Sequence, residues 1–310
     1  MNLYWLQAGG CGGDSMSMLN MDSPEFLELT AENDIDILWH ASMSNLPASQ
    51  QRNILDELLS DKLHLDIFCV EGFTITGPDG SGRFDLFEGK PKLEIIRQLA
   101  AKADVVIAVG TCAAYGGVGN IGPIGAHGLQ FSGTEPGGAL GKEFRSAGGH
   151  PVINVPGCPT HYTVLADILL AAAEGNLPEL NEQQAPRQWF DMLVHQGCLR
   201  NEYHEFRVEE REFGERGCLF FYRGCRGPLT SGPCNKLLWN HRSSKTNVGS
   251  PCVGCTSPEF PQPEPFFQTA NIADVPLELP DGVDRAHYLA YKGMAAAAAP
   301  DRLKKRRNLV

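Results

Sequence analysis

Residues 105–117 read Val105-Val106-Ile107-Ala108-Val109-Gly110-Thr111-Cys112-Ala113-Ala114-Tyr115-Gly116-Gly117. Five apolar residues run without alternation and stop at a glycine. Such a run predicts a strand buried on both faces, as in a parallel sheet. Four further runs share the pattern: Asn2–Gln7, stopping at Ala8-Gly9-Gly10; Ile35–His40; Leu65–Val70, ending at Glu71-Gly72; and Val152–Val155, closed by Pro156-Gly157. Between them Ser49–Lys62, Lys92–Lys102 and Thr163–Gly175 carry apolar residues at helical spacing, with Ile54, Leu55, Leu58 and Leu59 on one face. This alternation predicts an α/β fold with an open parallel sheet.

The chain has 310 residues, 42% of them hydrophobic, enough to bury a sizeable core. A net charge of −11 argues against nucleic acid as a partner, since that affinity rests on Lys and Arg meeting phosphates. No apolar run approaches the roughly 20 residues needed to cross a bilayer. The N-terminus has neither a basic region before an apolar stretch nor a twin arginine, so the expected location is cytoplasmic, without a signal peptide. Residues 301–310 carry five basic side chains and one acidic. Such a tail is either solvated or docks on an acidic surface or anionic lipid, the latter giving peripheral membrane association.

Ten cysteines in a chain without an export signal point to buried, catalytic or metal-bound thiols rather than to disulfides. Three follow predicted strands: Cys11 after the first, Cys112 in Gly110-Thr111-Cys112, and Cys158 in Pro156-Gly157-Cys158-Pro159. Ligands of an open α/β sheet bind beyond the carboxyl ends of its strands. Three thiols at such ends are therefore placed to converge on one group. Cys11-Gly12-Gly13-Asp14 has two-residue ligand spacing with a carboxylate in the second place, a harder donor than thiolate. Asp14 is thus either a weak ligand or an ordinary helix cap.

From about Leu180 onward helical and strand periodicity weakens, and six cysteines fall between 198 and 255. A loop-rich module of this kind needs staples, which bound metal supplies. His195-x2-Cys198, followed by Cys218 and Cys225, offers one imidazole and three thiolates. Imidazole in place of thiolate raises the potential of an iron–sulfur site. Cys234 with Cys252-Val253-Gly254-Cys255 offers three thiolates, enough for a cluster lacking one corner; zinc would want a fourth donor such as His241. Cys69 is left over inside an apolar run and reads as a buried structural thiol.

Taken in order, Trp5-Leu6-Gln7-Ala8-Gly9-Gly10-Cys11, Glu71-Gly72, residues 110–117, Pro156-Gly157-Cys158-Pro159, His195-x2-Cys198, Gly224-Cys225-Arg226-Gly227-Pro228 and Cys234-x17-Cys252-x2-Cys255 resemble the small, electron-transfer subunit of a [NiFe] hydrogenase. The resemblance covers nearly the whole chain. It implies a flavodoxin-like domain over 1–180 holding a proximal cluster on Cys11, Cys112 and Cys158. The family usually has a fourth cysteine where this chain has Asp14, so the cluster is either an Asp-ligated [4Fe-4S] or a three-thiolate [3Fe-4S]. An iron–sulfur domain over 181–268 would hold a distal cluster, [4Fe-4S] or [3Fe-4S], on His195, Cys198, Cys218 and Cys225. The same domain would hold a medial [3Fe-4S] on Cys234, Cys252 and Cys255. Residues 269–310 form a C-terminal extension. The lack of a signal and of an anchoring tail is similar to the cytoplasmic uptake branch found in cyanobacteria and actinobacteria, which includes high-affinity, oxygen-tolerant enzymes.

Heterolysis of H2 yields protons and two electrons. A nickel–iron centre needs thiolates of its own, and this chain has none to spare. The resemblance therefore places catalysis on a large subunit, in an obligate heterodimer within a higher oligomer. This chain would then relay electrons toward a quinone or another acceptor, with Glu71 beside the proximal site as a candidate proton carrier. Three readings compete: a hydrogen-sensing relative of similar build, a zinc-stapled interaction protein, and the cluster-bearing subunit of respiratory complex I. The last predicts a single cluster and adjacent cysteines in the first loop, where this chain has Cys11-Gly12-Gly13.

Overall fold

In the computed structural model the apolar runs become Asn2–Gln7 (β1), Asp36–His40 (β2), Ile67–Glu71 (β3), Val105–Val109 (β4) and Ile153–Val155 (β5). They form one parallel sheet in the order β2-β1-β3-β4-β5. That is the doubly wound flavodoxin-like order, with its switch point between β1 and β3. The structure describes residues 1–121, 124–262 and 268–304. The chain forms two units: Met1–Asp191 with Cys255–Phe260, and Met192–Gly254 with the described residues from Pro261 on.

In the first unit β3 and β4 are buried along their whole length, which accounts for their unbroken apolar sequence. One core gathers Tyr4, Leu6, Phe68, Val70, Val106 and Ala108 from the sheet. Leu55 and Leu58 of Ala48–Leu59 join it, as do Ile95, Ile96 and Leu99 of Lys92–Lys102. The alternate residues Leu3, Trp5, Ile67, Cys69 and Ile107 are buried too, and Trp5 meets Phe26 edge-on at 6.4 Å. Both faces are therefore covered. Cys69 is fully buried, and burial pushes its thiol up, as suits a structural cysteine. Across the carboxyl edge Gln7, Glu71, Val109 and Val155 stand in one register row. Every loop carrying a first-half cysteine leaves from that row.

The second unit has little regular structure. Its short helices include Asn201–Glu205 and Phe220–Arg223, with a longer one at Arg285–Ala298. Its core is small: Cys218, Phe220, Phe221, Tyr222 and Tyr288, with Tyr203 and Cys225 packed against it. Tyr288 and Lys292 of this longer helix both donate to buried Glu209, at 2.8 and 3.0 Å. Among the described residues no helix is long and apolar enough to cross a membrane. Of the basic tail, residues 305–310 lie outside the described residues.

Candidate metal centres

Three loops at the carboxyl edge of the sheet are bonded to one another. Cys11 leads into the helix Gly13–Met18 (α1), and Cys112 lies in the helix Gly110–Tyr115 (α2), which starts directly after β4. Thr111 donates its N–H to Gly157 O and accepts the Gly157 N–H on its hydroxyl, both at 2.9 Å, so α2 is pinned to the loop carrying Cys158. Asp14 Oδ1 accepts the Thr160 N–H at 2.7 Å, and the Ser17 hydroxyl donates to Thr160 O at 2.6 Å, which pins α1 to the same loop. Cys11, Asp14, Cys112 and Cys158 thus sit on three loops bonded to one another, Cys11 exposed and Cys112 and Cys158 half-buried.

The space around these donors is kept clear by missing Cβ atoms. A Cβ on Gly117 would fall 2.9 Å from Cys112 Sγ. Gly110 has φ +82°, and a Cβ there would fall 2.1 Å from Asp14 Oδ2. Burial raises Asp14 to about 7; the Thr160 N–H opposes this and the Glu71 charge adds to it. The Cys112 thiol is also pushed up, mainly by burial, with Asp14, Cys11 and Glu71 contributing charge. Both groups therefore hold their protons more tightly than in water, and a cationic group bound beside them would take the protons' place.

Glu71, at the end of β3, accepts from Trp5 Nε1 and Gln7 Nε2 (both 3.1 Å) and from the backbone N–H groups of Asp14 and Ser15 (both 3.0 Å). The Ser15 hydroxyl is a fifth donor. The carboxylate thus caps α1 and fixes the loop of Cys11 against the sheet. Behind it lies His40, fully buried, which burial lowers to about 4 and so keeps neutral. Its Nδ1 accepts the Ser42 N–H at 3.1 Å, leaving the ring hydrogen on Nε2, 3.2 Å from Ser15 Oγ.

In the second unit His195, Cys198, Cys218 and Cys225 line one cavity. Backbone N–H groups point at its sulfurs: Arg200 to Cys198 at 3.4 Å, Cys252 to Cys225 at 3.2 Å, and Phe220 to Cys218. Such donors stabilise thiolates, the ligating form. Burial lowers His195, favouring the neutral imidazole that can ligate. Arg200, 6% exposed, is among the residues that line the same cavity, and its guanidinium Nη2 is buried with no partner among the described residues. A buried cation with an unmade hydrogen bond marks a site that fits an anionic, sulfur-rich group.

Of the third set, Cys234 and Cys252 lie in the second unit, where the Gly254 N–H meets Cys252 Sγ at 3.4 Å. Cys255 lies in the first, where its carbonyl accepts the Thr111 hydroxyl.

Two family descriptions divide the chain between them. Residues 11–172 match the 20 Kd chain of NADH ubiquinone oxidoreductase, and residues 190–268 match the C-terminal part of the NiFe/NiFeSe hydrogenase small subunit. The chain belongs to the [NiFe] hydrogenase small-subunit family. The F420 non-reducing hydrogenase II small subunit of Methanosarcina mazei is 29% identical, over 84% of this chain and 73% of the relative. The quinone-reactive Ni/Fe-hydrogenase small chain of Wolinella succinogenes is 26% identical, over 97% of this chain and 80% of the relative. An actinobacterial-type NiFe-hydrogenase from Ralstonia eutropha H16 shares the fold, with TM-score 0.78, 24% identity and coverage of 98% and 91% of the two chains. The NiFeSe hydrogenase of Desulfomicrobium baculatum follows at 0.73, 27%, 84% and 95%. Small subunits of this family carry iron–sulfur clusters and pair with a large subunit. The complex I and zinc-stapled readings give way: the second family description covers the cysteine-rich half that a complex I homologue would lack.

Two residues at the distal set escaped the sequence reading. Arg200 is one. The other is His204, whose Nδ1 lies 3.4 Å from Cys218 Sγ and whose ring meets that of His195 edge-on at 4.7 Å. Burial lowers His204 to about 4, and His195 and Arg207 add to the shift. In the sequence His204 sits between Glu202 and Glu205, a pattern that reads as a solvated helix face.

Proposed function

We propose that this chain is the electron-carrying small subunit of a [NiFe] uptake hydrogenase, working with a large subunit that holds the nickel–iron centre. The observation that carries the reading is the second-unit cavity, where one imidazole, three thiols and a buried guanidinium with an unmade hydrogen bond share a wall. His195, Cys198, Cys218 and Cys225 are the proposed distal ligands. Cys11, Cys112 and Cys158 are the proposed proximal ligands, with Asp14 as the fourth. Cys234, Cys252 and Cys255 are proposed for the medial [3Fe-4S] from their spacing and the family match. Bound iron–sulfur clusters accept and pass electrons singly at potentials set by ligand type, hydrogen bonds and burial.

The chain's own residues prepare that role. Glu71 fixes the Cys11 loop, Thr111 ties the Cys112 and Cys158 loops, and backbone N–H groups hold the distal thiolates. Met16 and Leu19 are exposed beside the Cys11 loop, an apolar edge suited to burial under the large subunit. The acceptor we propose is a quinone, supported by the name of the Wolinella relative.

The test is anaerobic co-purification with the large subunit. The expected result is brown protein with iron, acid-labile sulfide and H2-dependent dye reduction. Colourless protein, or zinc without sulfide, overturns the proposal.

A further inference from the structure

The distal cavity contains a charge that its ligand set does not use. Arg200 lies two residues past Cys198 and is 6% exposed. Its Nε donates to Thr246 O at 2.7 Å, and its Nη1 donates to Gly217 O at 2.7 Å and to Glu215 O at 2.5 Å. These carbonyls hold the guanidinium plane rigidly. Nη2 is buried and without a partner among the described residues. The ionisable groups that bear most on it are the sulfurs of Cys198 and Cys218, then Tyr203 and the carboxylate of Glu210. Glu210 uses its Oε1 on the backbone N–H groups of Arg211 and Glu212.

A guanidinium keeps its charge under any ordinary condition, and taking it out of water is costly unless an anion or an acceptor meets it. Three carbonyls supply acceptors but no compensating charge. The cavity wall supplies thiols, which carry charge only when they ligate. The bare Nη2 N–H is therefore accounted for by the occupant of the cavity rather than by the polypeptide.

We propose that Arg200 sets the reduction potential of the distal centre, through its charge and its free Nη2 N–H. The proposal rests on the ligand assignment above. When the centre gains one electron its net charge becomes one unit more negative. A fixed cation in a low-dielectric wall stabilises that state over the oxidised one, which raises the potential. The neutral imidazole of His195, in place of a fourth thiolate, acts in the same direction. Arg200 is thus a positioning and charge-setting residue at the outlet end of the relay.

The experiment uses the purified complex with its large subunit, carrying Arg200→Gln or Arg200→Lys, in redox titrations followed by EPR. In Arg200→Gln the distal centre is expected to be at least tenfold harder to reduce, a midpoint lower by about 59 mV for one electron. Proximal and medial potentials should stay at their wild-type values. Arg200→Lys, which keeps the charge, should recover most of the shift. A fully loaded Arg200→Gln protein with a wild-type distal potential overturns the proposal and leaves Arg200 as a tie between carbonyls. Should both variants fail to load the distal centre, protein that keeps Arg200 and is labelled with guanidino-15N arginine decides, with Arg226→Lys removing the arginine that directly follows Cys225. A 15N coupling to the reduced distal centre supports the proposal, and its absence overturns it. Wild-type protein without iron and sulfide would instead overturn the cluster reading itself, so the two failures are distinct.

Discussion

Asp14 shows how burial can prepare one side chain to take a cation. Its carboxylate is 9% exposed and meets the Thr160 N–H, and no ion pair to it is found among the described residues. Left alone it would be about half protonated near neutral pH, since burial raises it to about 7. Iron beside it would remove that cost. Asp14→Asn keeps the size and the acceptor but withdraws the anionic oxygen. The expected outcome is loss of one iron from the proximal centre and appearance of a paramagnetic three-iron signal on oxidation. Asp14→Cys should keep the full iron content. Iron counting with EPR checks both, and an unchanged Asp14→Asn spectrum removes Asp14 from the ligand set. His40 offers a pH prediction of definite sign. Its folded pKa is depressed to about 4 against an unfolded value near 6.5. Between those values the unfolded chain binds the extra proton, so stability is full above about 6.5 and is lost as pH falls toward 4. The loss is on the order of 3 kcal/mol. Denaturant titrations should show this slope flattened in His40→Gln. At this scale the placing of Cys11, Cys112, Cys158 and Glu71 at strand ends was legible because their positions repeat. Arg200 and His204 were not, because what defines them is an unmade bond and a neighbour outside their own helix.

The sharpest local constraint is the elbow where β4 turns into α2. Val109 ends the strand, Gly110 takes φ +82°, and Cys112 follows within one turn. A methyl group at Gly110 would meet both a disfavoured backbone region and Asp14 Oδ2. Gly110→Ala is expected to cost about 2–4 kcal/mol and to impair proximal loading. Gly80 is the control: it has φ +77° but open space around its Cα, so Gly80→Ala carries only the backbone cost of about 1 kcal/mol. Equal losses of melting temperature in the two variants would show that contact with Asp14 contributes nothing. The strands themselves were legible, since double burial leaves continuous apolar runs. Their ends were less so. Val152 donates its N–H to Gln130 Oε1 at 3.0 Å, so β5 begins one residue later than the apolar run. The two-residue strands Thr74–Ile75 and Ala126–His127 pair with each other but are too short to show any period.

Across the whole molecule the two units rest on different sources of stability. The first buries both faces of a five-stranded sheet and needs no staple. The second has a small aromatic core in which Cys218 is itself a member and Cys225 packs at the edge. Two proposed distal ligands are therefore also core residues, and withdrawing their metal disturbs the packing directly. The change of architecture was legible as the point where periodicity gives way to cysteines. The stapling was legible only as a need, because which aromatics collect around which thiol is set by long-range loops. The Tyr288 contact comes from a helix more than sixty residues past Cys218, which no local pattern announces. Anaerobic removal of iron by a strong chelator, followed by amide hydrogen exchange, separates the two sources. Amides of Phe220–Arg223 and Val194–Gly197 are expected to exchange about 100-fold faster or more, a local loss of roughly 3 kcal/mol. Amides of β3 and β4 should keep most of their protection, because their neighbours are strands and apolar helices. If the sheet amides are released together with those of the second unit, the first unit also depends on its metal. If neither responds, the aromatic core stands without iron, and the cysteines serve electron transfer alone.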